Sequence, residues 1–282
     1  MNAVDLALEP RTQLSAGLRA WRFVRRHVLD LYAVLAMLYL FIPIGIVVAF
    51  SFNNPLGRFN YTWQGFTFKN WTNPFGYPGV SGAVKVSIEI ALVSSACATI
   101  LGTLIALALV RYKFRGSATT NLLIFVPMTT PEIVMGASLL TMFLNWKIPQ
   151  GFGTILIAHI MFNISYVVVT VRARLVGFDR HLEEAAMDLG ANEFVTFWRV
   201  TLPLIAPGIL AAALLAFALS IDDFVITYFN AGTVTTFPLF VWGAARVAVP
   251  PQINVIGTAI FGVAILGMLA NVLFQNRRAR NA

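Results

Sequence analysis

Residues 184–203 read EAAMDLGANEFVTFWRVTLP, and this stretch decides how the remainder of the chain is interpreted. It is polar and charged, yet it lies between two strongly apolar segments. Leu182, Glu183, Glu184, Ala185, Ala186 and Met187 are good helix formers, so the spacing predicts a short helix over 182–189. Gly190 stands where a left-handed residue stops a helix. Glu183 and Glu184 lie at the N-terminal end, where the helix dipole favours acids. Ala185 and Ala186 leave room for another protein's surface to approach. Met187 and Leu189 flank Asp188 as apolar knobs. Pro203 is expected to send the chain into the next apolar helix at an angle.

The composition around this stretch belongs to a membrane protein. Hydrophobic residues make up 58% of the 282 positions and charged residues 11%, against about 25% charged in soluble domains. Six segments approach or exceed the ~20 residues a spanning helix needs: 28–50, 83–110, 122–144, 155–171, 209–229 and 255–274, the fourth with room to extend toward Val176. Within lipid these must be helices, because no water is present to satisfy the backbone. The expectation is an all-α membrane protein of six transmembrane helices, with a tail over 1–27, a membrane domain over 28–274 and a tail over 275–282.

Arginine and lysine placement orients the chain. They gather in the first tail (Arg11, Arg19, Arg22, Arg25, Arg26), in the second connection (Arg111, Lys113, Arg115), around the quoted stretch (Arg172, Arg174, Arg180, Arg199) and in the last tail (Arg277, Arg278, Arg280). The opposite connections hold Arg58, Lys69, Lys147 and Arg246, with Lys85 near a helix end. Both termini and the 172–204 connection are therefore expected in the cytoplasm. The net charge of +8 is topology signal facing an anionic inner leaflet, with no nucleic acid required. The N-terminus reads as an uncleaved first helix rather than a signal peptide. Cys97, the single cysteine, is expected to be a small packing residue. The external connection 51–82 is rich in aromatic residues. That at 230–254 is expected to carry a short helix near 239–247.

Glu89, Glu132, Asp222 and Asp223 fall in or near spans, where a charge is costly and usually faces a cavity or a partner. Counting ~1.5 Å per residue, Glu132 lies near the midplane, Asp222 and Asp223 in the outer half of the fifth span, and Glu89 near the outer end of the second. Such a ladder suits a cationic substrate and repels anions. Adjacent acids on a helix point about 100° apart, so Asp222 and Asp223 are not expected to share one target. The alternative for each acid is a structural pair with a cation or a backbone donor. Trp63, Tyr166 and Tyr228 are further path candidates, and His159 and Asn163 are expected to make interhelical hydrogen bonds. Pro131, before Glu132, is expected to kink the third span. No residue group has metal spacing, and no hydrolase elbow or zinc-protease motif occurs. The four lysines follow Phe68, Val84, Tyr112 and Trp146, never glycine, which excludes a phosphate-binding P-loop.

Glu184-Ala185-Ala186, then Gly190, Val200, Leu202 and Pro203, have the spacing of the EAA loop of ABC-importer permeases, with Val200 where isoleucine is usual. Further landmarks are Ser51-Phe52-Asn53, Trp63-Gln64-Gly65-Phe66, Arg111 to Gly116, Pro131-Glu132-Ile133-Val134-Met135 and Leu219-Ser220-Ile221-Asp222-Asp223. Together they resemble the spermidine/putrescine permease subunits of ABC importers, of the second (C/I) type, over most of the chain. The resemblance implies a type I importer permease fold in a bacterial inner membrane, with no catalytic residue and no cofactor in this chain. It implies ATP and magnesium bound by two partner ATPases docking at 183–190, a second related permease, and an extracytoplasmic polyamine-binding protein. Asp222, Asp223 and Glu132 would be path acids, and Trp71 an outer-loop aromatic contacting substrate. Glu132 stands where the family has aspartate, and the segment after Phe229 is shorter than the resemblance leads one to expect. Other cargoes of such a machine (an opine, an aminophosphonate, thiamine, iron) and an ATP-independent transporter remain alternatives.

Overall fold

A computed structural model describes residues 16–112 and 114–280. In chain order its helices are α1 (Ala16–Ser51), α2 (Lys69–Thr72), α3 (Val80–Arg111), α4 (Ser117–Thr129), α5 (Glu132–Asn145), α6 (Phe152–Val176), α7 (His181–Asp188), α8 (Glu193–Thr196), a π-helical turn at Phe197–Thr201, α9 (Leu202–Asp222), α10 (Val225–Asn230), α11 (Phe237–Val247) and α12 (Pro251–Arg280). Arg11 and Lys113 of the orientation argument lie outside the described residues, as do the side chains of Arg19, Arg22, Arg25, Arg26, Arg277, Arg278 and Arg280.

Among the described residues four helices are long and apolar enough to cross a membrane: His27–Ser51, Val80–Arg111, Phe152–Val176 and Glu193–Asp222. The kink expected in the third span at Pro131 is a full break: α4 and α5 are bent by 108° at Thr130–Pro131, and count as a fifth crossing only if taken as one broken span. Proline explains the break, since it supplies no N–H and pushes the residue before it out of the α region. Thr130 accordingly sits at φ −75°, ψ 130°. The expected fifth span, 209–229, is also not one helix, because α9 ends at Asp222 and α10 starts at Val225. At its other end the helix is longer than expected. It runs back through the π turn to Glu193, so Pro203 is absorbed where the helix widens rather than marking a fresh start. Of the sixth expected segment, α12 offers Pro251–Gly267 as its described apolar part.

The chain divides into two units. The first comprises residues 1–74 and 251–282, and within it α1 packs along α12. The connection after α1 is a knot of asparagines. Asn53 Nδ2 donates to Asn60 Oδ1 and to the Thr62 carbonyl, both at 2.7 Å, while Asn70 Nδ2 donates to the Asn53 carbonyl at 2.7 Å. These side chains satisfy irregular backbone that would otherwise be left without partners. Phe52 stacks on Phe66 and on Trp71.

The second unit comprises residues 75–250 and is built on α3, α6 and α9. Ala98, Ala106, Val167, Val168, Val171, Ala212 and Ala216 form its core. Small residues bring the helices close, as expected where lipid removes the hydrophobic drive for helix association. A Cβ on Gly102 would lie 2.6 Å from the Val167 side chain, so α3 and α6 meet there only because position 102 has none.

Candidate functional site

Two regions of the second unit hold most of the residues singled out by sequence. The first is the segment after α6. Helix α7 spans His181–Asp188 and buries no residue. Its end follows local rules, with Gly190 at φ +90° and its N–H donating to the Met187 carbonyl at 2.8 Å.

The two acids of its first turn face different ways. Glu184 is exposed. The Glu183 carboxylate accepts hydrogen bonds from the Arg111 guanidinium at the end of α3 and from the Thr201 hydroxyl in the π turn. Arg180 Nη2 donates to the Val110 carbonyl at 2.9 Å. The helix is thus tied by its first turn to the end of α3. Ala185, Met187, Asp188 and Leu189 are left exposed, and Ala186 is half-buried. Leu189 is 90% exposed, and Phe194 and Trp198 extend the apolar surface beyond Gly190. Sequence reading missed the anchoring role of Arg111, treating it as topology signal and as part of a family landmark, and missed Phe194 and Trp198. Large aromatic side chains within a polar loop are the signal that was available. At the entry to α7, His181 Nδ1 lies 2.7 Å from Asp179 Oδ1. That hydrogen bond holds the Asp179 carboxyl below its usual range and raises the His181 imidazole, with both groups on the surface.

The second region lies at the two helix breaks. Glu132 is the first residue of α5 and Asp222 the last of α9. Both are exposed, and Glu132 is close enough to Asp222 and Asp223 for their charges to interact. Among the described residues neither Glu132 nor Asp222 has an ion-pair partner.

Asp223 is in a different position. Its side chain is 6% exposed and lies 3.2 Å from Nε2 of His159, itself 3% exposed. Its Oδ2 accepts from the Thr227 backbone N–H at 2.8 Å and from the Thr227 hydroxyl at 2.7 Å, capping α10. His159 Nδ1 is 2.6 Å from Ser220 Oγ, and Ser220 Oγ is 2.9 Å from Ser94 Oγ on α3. His159 thus makes the interhelical bonds expected of it. Asn163, one turn on, is fully buried, and neither of its side-chain polar atoms has a partner among the described residues.

The second halves of the two broken helices meet directly. A Cβ on Gly136 of α5 would come within 2.8 Å of the Phe229 ring on α10, and Asn230 Nδ2 donates to the Gly136 carbonyl at 3.3 Å. Tyr228 is exposed beside Phe224, which also packs 5.2 Å from Trp242 on α11. Tyr166 packs edge-on against Phe162. Glu89 lies 3.8 Å from Lys85 on the surface of α3. In the first unit, Trp71 is held by stacking on Phe52 and by its Nε1 donating to Ser51 Oγ at 3.2 Å. Trp63 sets its ring perpendicular to Phe50, with centroids 6.3 Å apart.

This arrangement has counterparts among known proteins. The chain is 38% identical over 243 residues to the spermidine/putrescine transport system permease protein PotC of Escherichia coli K12, covering 86% of this chain and 91% of that one. It is also 38% identical over 246 residues to the putrescine transport system permease protein PotI of the same strain, covering 84% and 87%. In fold it is similar to a bacterial ABC transporter involved in the import of the acidic polysaccharide alginate. That match has TM-score 0.61 and 18% identity, over 93% of this chain and 98% of that one. The MetNI methionine ABC transporter matches with TM-score 0.55 and 14% identity, over 71% and 95%. Residues 98–281, which include α7, both acids at the breaks, His159 and Asp223, match the binding-protein-dependent transport system inner membrane component, and the chain belongs to that family.

Proposed function

We propose that this chain is one of two permease subunits of an ATP-driven importer and lines half of a path for polyamines such as spermidine and putrescine. One observation carries the substrate reading. Glu132 and Asp222 stand exposed at two helix breaks, within range of each other's charge and without an ion-pair partner among the described residues. Carboxylates at bilayer depth are costly unless a cation or water meets them. An extended oligoamine supplies successive ammonium groups as it passes. The names of the relatives, spermidine/putrescine and putrescine permeases, support the same cargo.

In this reading the chain crosses a bacterial inner membrane six times, with α4 and α5 forming one crossing, α12 the last, and both termini cytoplasmic. Trp71, with Trp63 nearby in sequence, offers a ring face to the cation before it enters. Two ABC ATPases seat on α7 and the apolar surface beyond it. Nucleotide-driven closure pulls on Glu183–Gly190, and the Arg111–Glu183 tie passes the movement to α3. ATP and magnesium stay with those ATPases. This chain performs no chemistry and holds no cofactor, and an extracytoplasmic protein delivers the substrate.

Uptake of radiolabelled putrescine and spermidine by cells carrying the complete importer tests the path. Asp222→Asn and Glu132→Gln should each reduce uptake about tenfold or more, the size of one lost charge-assisted interaction. Unchanged uptake in both would remove these two acids from the substrate path. Deletion of residues 183–190 should abolish transport; survival of uptake would rule out ATPase coupling through α7.

A further inference from the structure

We propose that His159 is a positioning residue: it clamps the two sides of the α9–α10 break and so fixes the direction in which Asp222 is presented. The inference rests on the reading of Asp222 as a path acid given above.

The geometry is that of a staple. Ser220 lies in the last turn of α9 and Thr227 in the first turn of α10. The His159 ring touches both, with Nδ1 2.6 Å from Ser220 Oγ and Nε2 2.9 Å from Thr227 Oγ1. Asp223, between them, is extended at φ −61°, ψ 121°. Its carboxylate accepts from the Thr227 N–H, freed by the break, and lies against the same Nε2. The hydrogen bonds close in one consistent direction. With the proton on Nε2, the ring donates toward Asp223 and Thr227, and Thr227 O–H donates to Asp223. Nδ1 then accepts from Ser220, leaving the Ser220 oxygen to accept from Ser94. Every member of the network is buried. A break within the membrane persists only where its freed groups are satisfied by protein, and this network satisfies them from a separate helix, α6.

The neighbouring acid is left outside the network. Asp222 is exposed and belongs to the last turn of α9, so its direction follows from where that turn ends. No hydrogen bond or ion pair among the described residues joins His159 to Asp222. Any influence of one on the other must therefore pass through the clamp. Asp223 is then a capping and clamping acid rather than a substrate contact, although it stands beside Asp222 in sequence.

Two measurements on the complete importer test this. In a Cys97→Ala background, the reactivity of the Asp222→Cys thiol toward a membrane-impermeant cationic thiol reagent reads its presentation directly. His159→Ala should change that labelling rate about tenfold, the size of one buried charge-assisted hydrogen bond. His159→Gln, which keeps a donor and an acceptor, should restore most of it. An unchanged rate with His159→Ala overturns the proposal. In parallel, putrescine uptake per ATP hydrolysed is measured for His159→Ala, Asp222→Asn and the double variant, at equal membrane abundance. The clamp predicts strong non-additivity, with His159→Ala adding little once Asp222 has lost its charge. Additive losses overturn the positioning role. A changed labelling rate combined with normal uptake by Asp222→Asn would leave the clamp standing and remove the reading of Asp222 as a path acid instead.

Discussion

Between α4 and α5 the chain turns at Thr130–Pro131; between α9 and α10 it turns at Asp223–Phe224, where neither proline nor glycine stands. The first break is local. Proline excludes the residue before it from helix and withholds a donor from the turn, so the bend is written within two residues. The second is imposed from a distance. His159, more than sixty residues earlier, and Thr227 hold Asp223 where it caps the next helix. Each break leaves one acid exposed beside it, Glu132 in one case and Asp222 in the other. The half-helices that follow, α5 and α10, pack together at Gly136. Two helix breaks that each leave a carboxylate exposed are thus made by quite different means, one written by a local proline and one dependent on a buried polar network.

The contrast predicts graded effects. Asp223→Ala should be the most damaging, because it leaves His159, Thr227 and the freed backbone N–H without an acceptor. A loss of about 3 kcal/mol is expected, read as a lower unfolding temperature of the detergent-solubilised assembly. A near-neutral result would show that the second break is as local as the first. Gly136→Val comes next. Its side chain would meet the Phe229 ring, costing about 1–3 kcal/mol by overpacking, and uptake should fall with stability because both breaks lose their common support. Pro131→Ala should cost at most about 1 kcal/mol, acting largely through the unfolded chain, since Gly136 and Asn230 still hold α5 in place. A larger loss would mean that proline alone maintains the bend.

The smallest effect is expected far from both breaks, at Asp179 and His181. The raised His181 value makes its contribution fully present below about pH 6.5 and lost as pH rises through the folded value. The lowered Asp179 value makes its share present above about pH 3.8 and lost as pH falls through the folded value. The pair therefore helps the start of α7 most between those limits. Asp179→Asn should flatten any stability difference between pH 5 and pH 8, and because both groups are exposed the difference should be slight. A pronounced change would mean that α7 relies on this pair more than on Glu183–Arg111.

What was legible followed the range of the interactions involved. The short helix expected over 182–189 with a stop at Gly190 is found at His181–Asp188 with Gly190 left-handed, because helix formers and a C-terminal glycine act within one turn. The outer helix expected near 239–247 is found at Phe237–Val247. The fifth span was expected to run unbroken through Asp223, since an apolar window without proline or glycine gives no local reason to stop. The roughly 100° separation of Asp222 and Asp223 signalled that they differ, but not which one turns inward. Glu183 looked like a dipole-stabilised acid. Its bond to Arg111 joins residues 72 positions apart, which no local pattern records.

The sequence by itself determined the apolar segments, the family motifs, the short helix that stops before Gly190 and the proline bend, because each depends on neighbours in the chain or on bulk transfer into lipid. Only the tertiary structure decided which acid is exposed and which is buried, where α9 stops, and what anchors α7. Those outcomes depend on hydrogen bonds between distant helices, where a buried carboxylate must find its donors wherever packing has placed them.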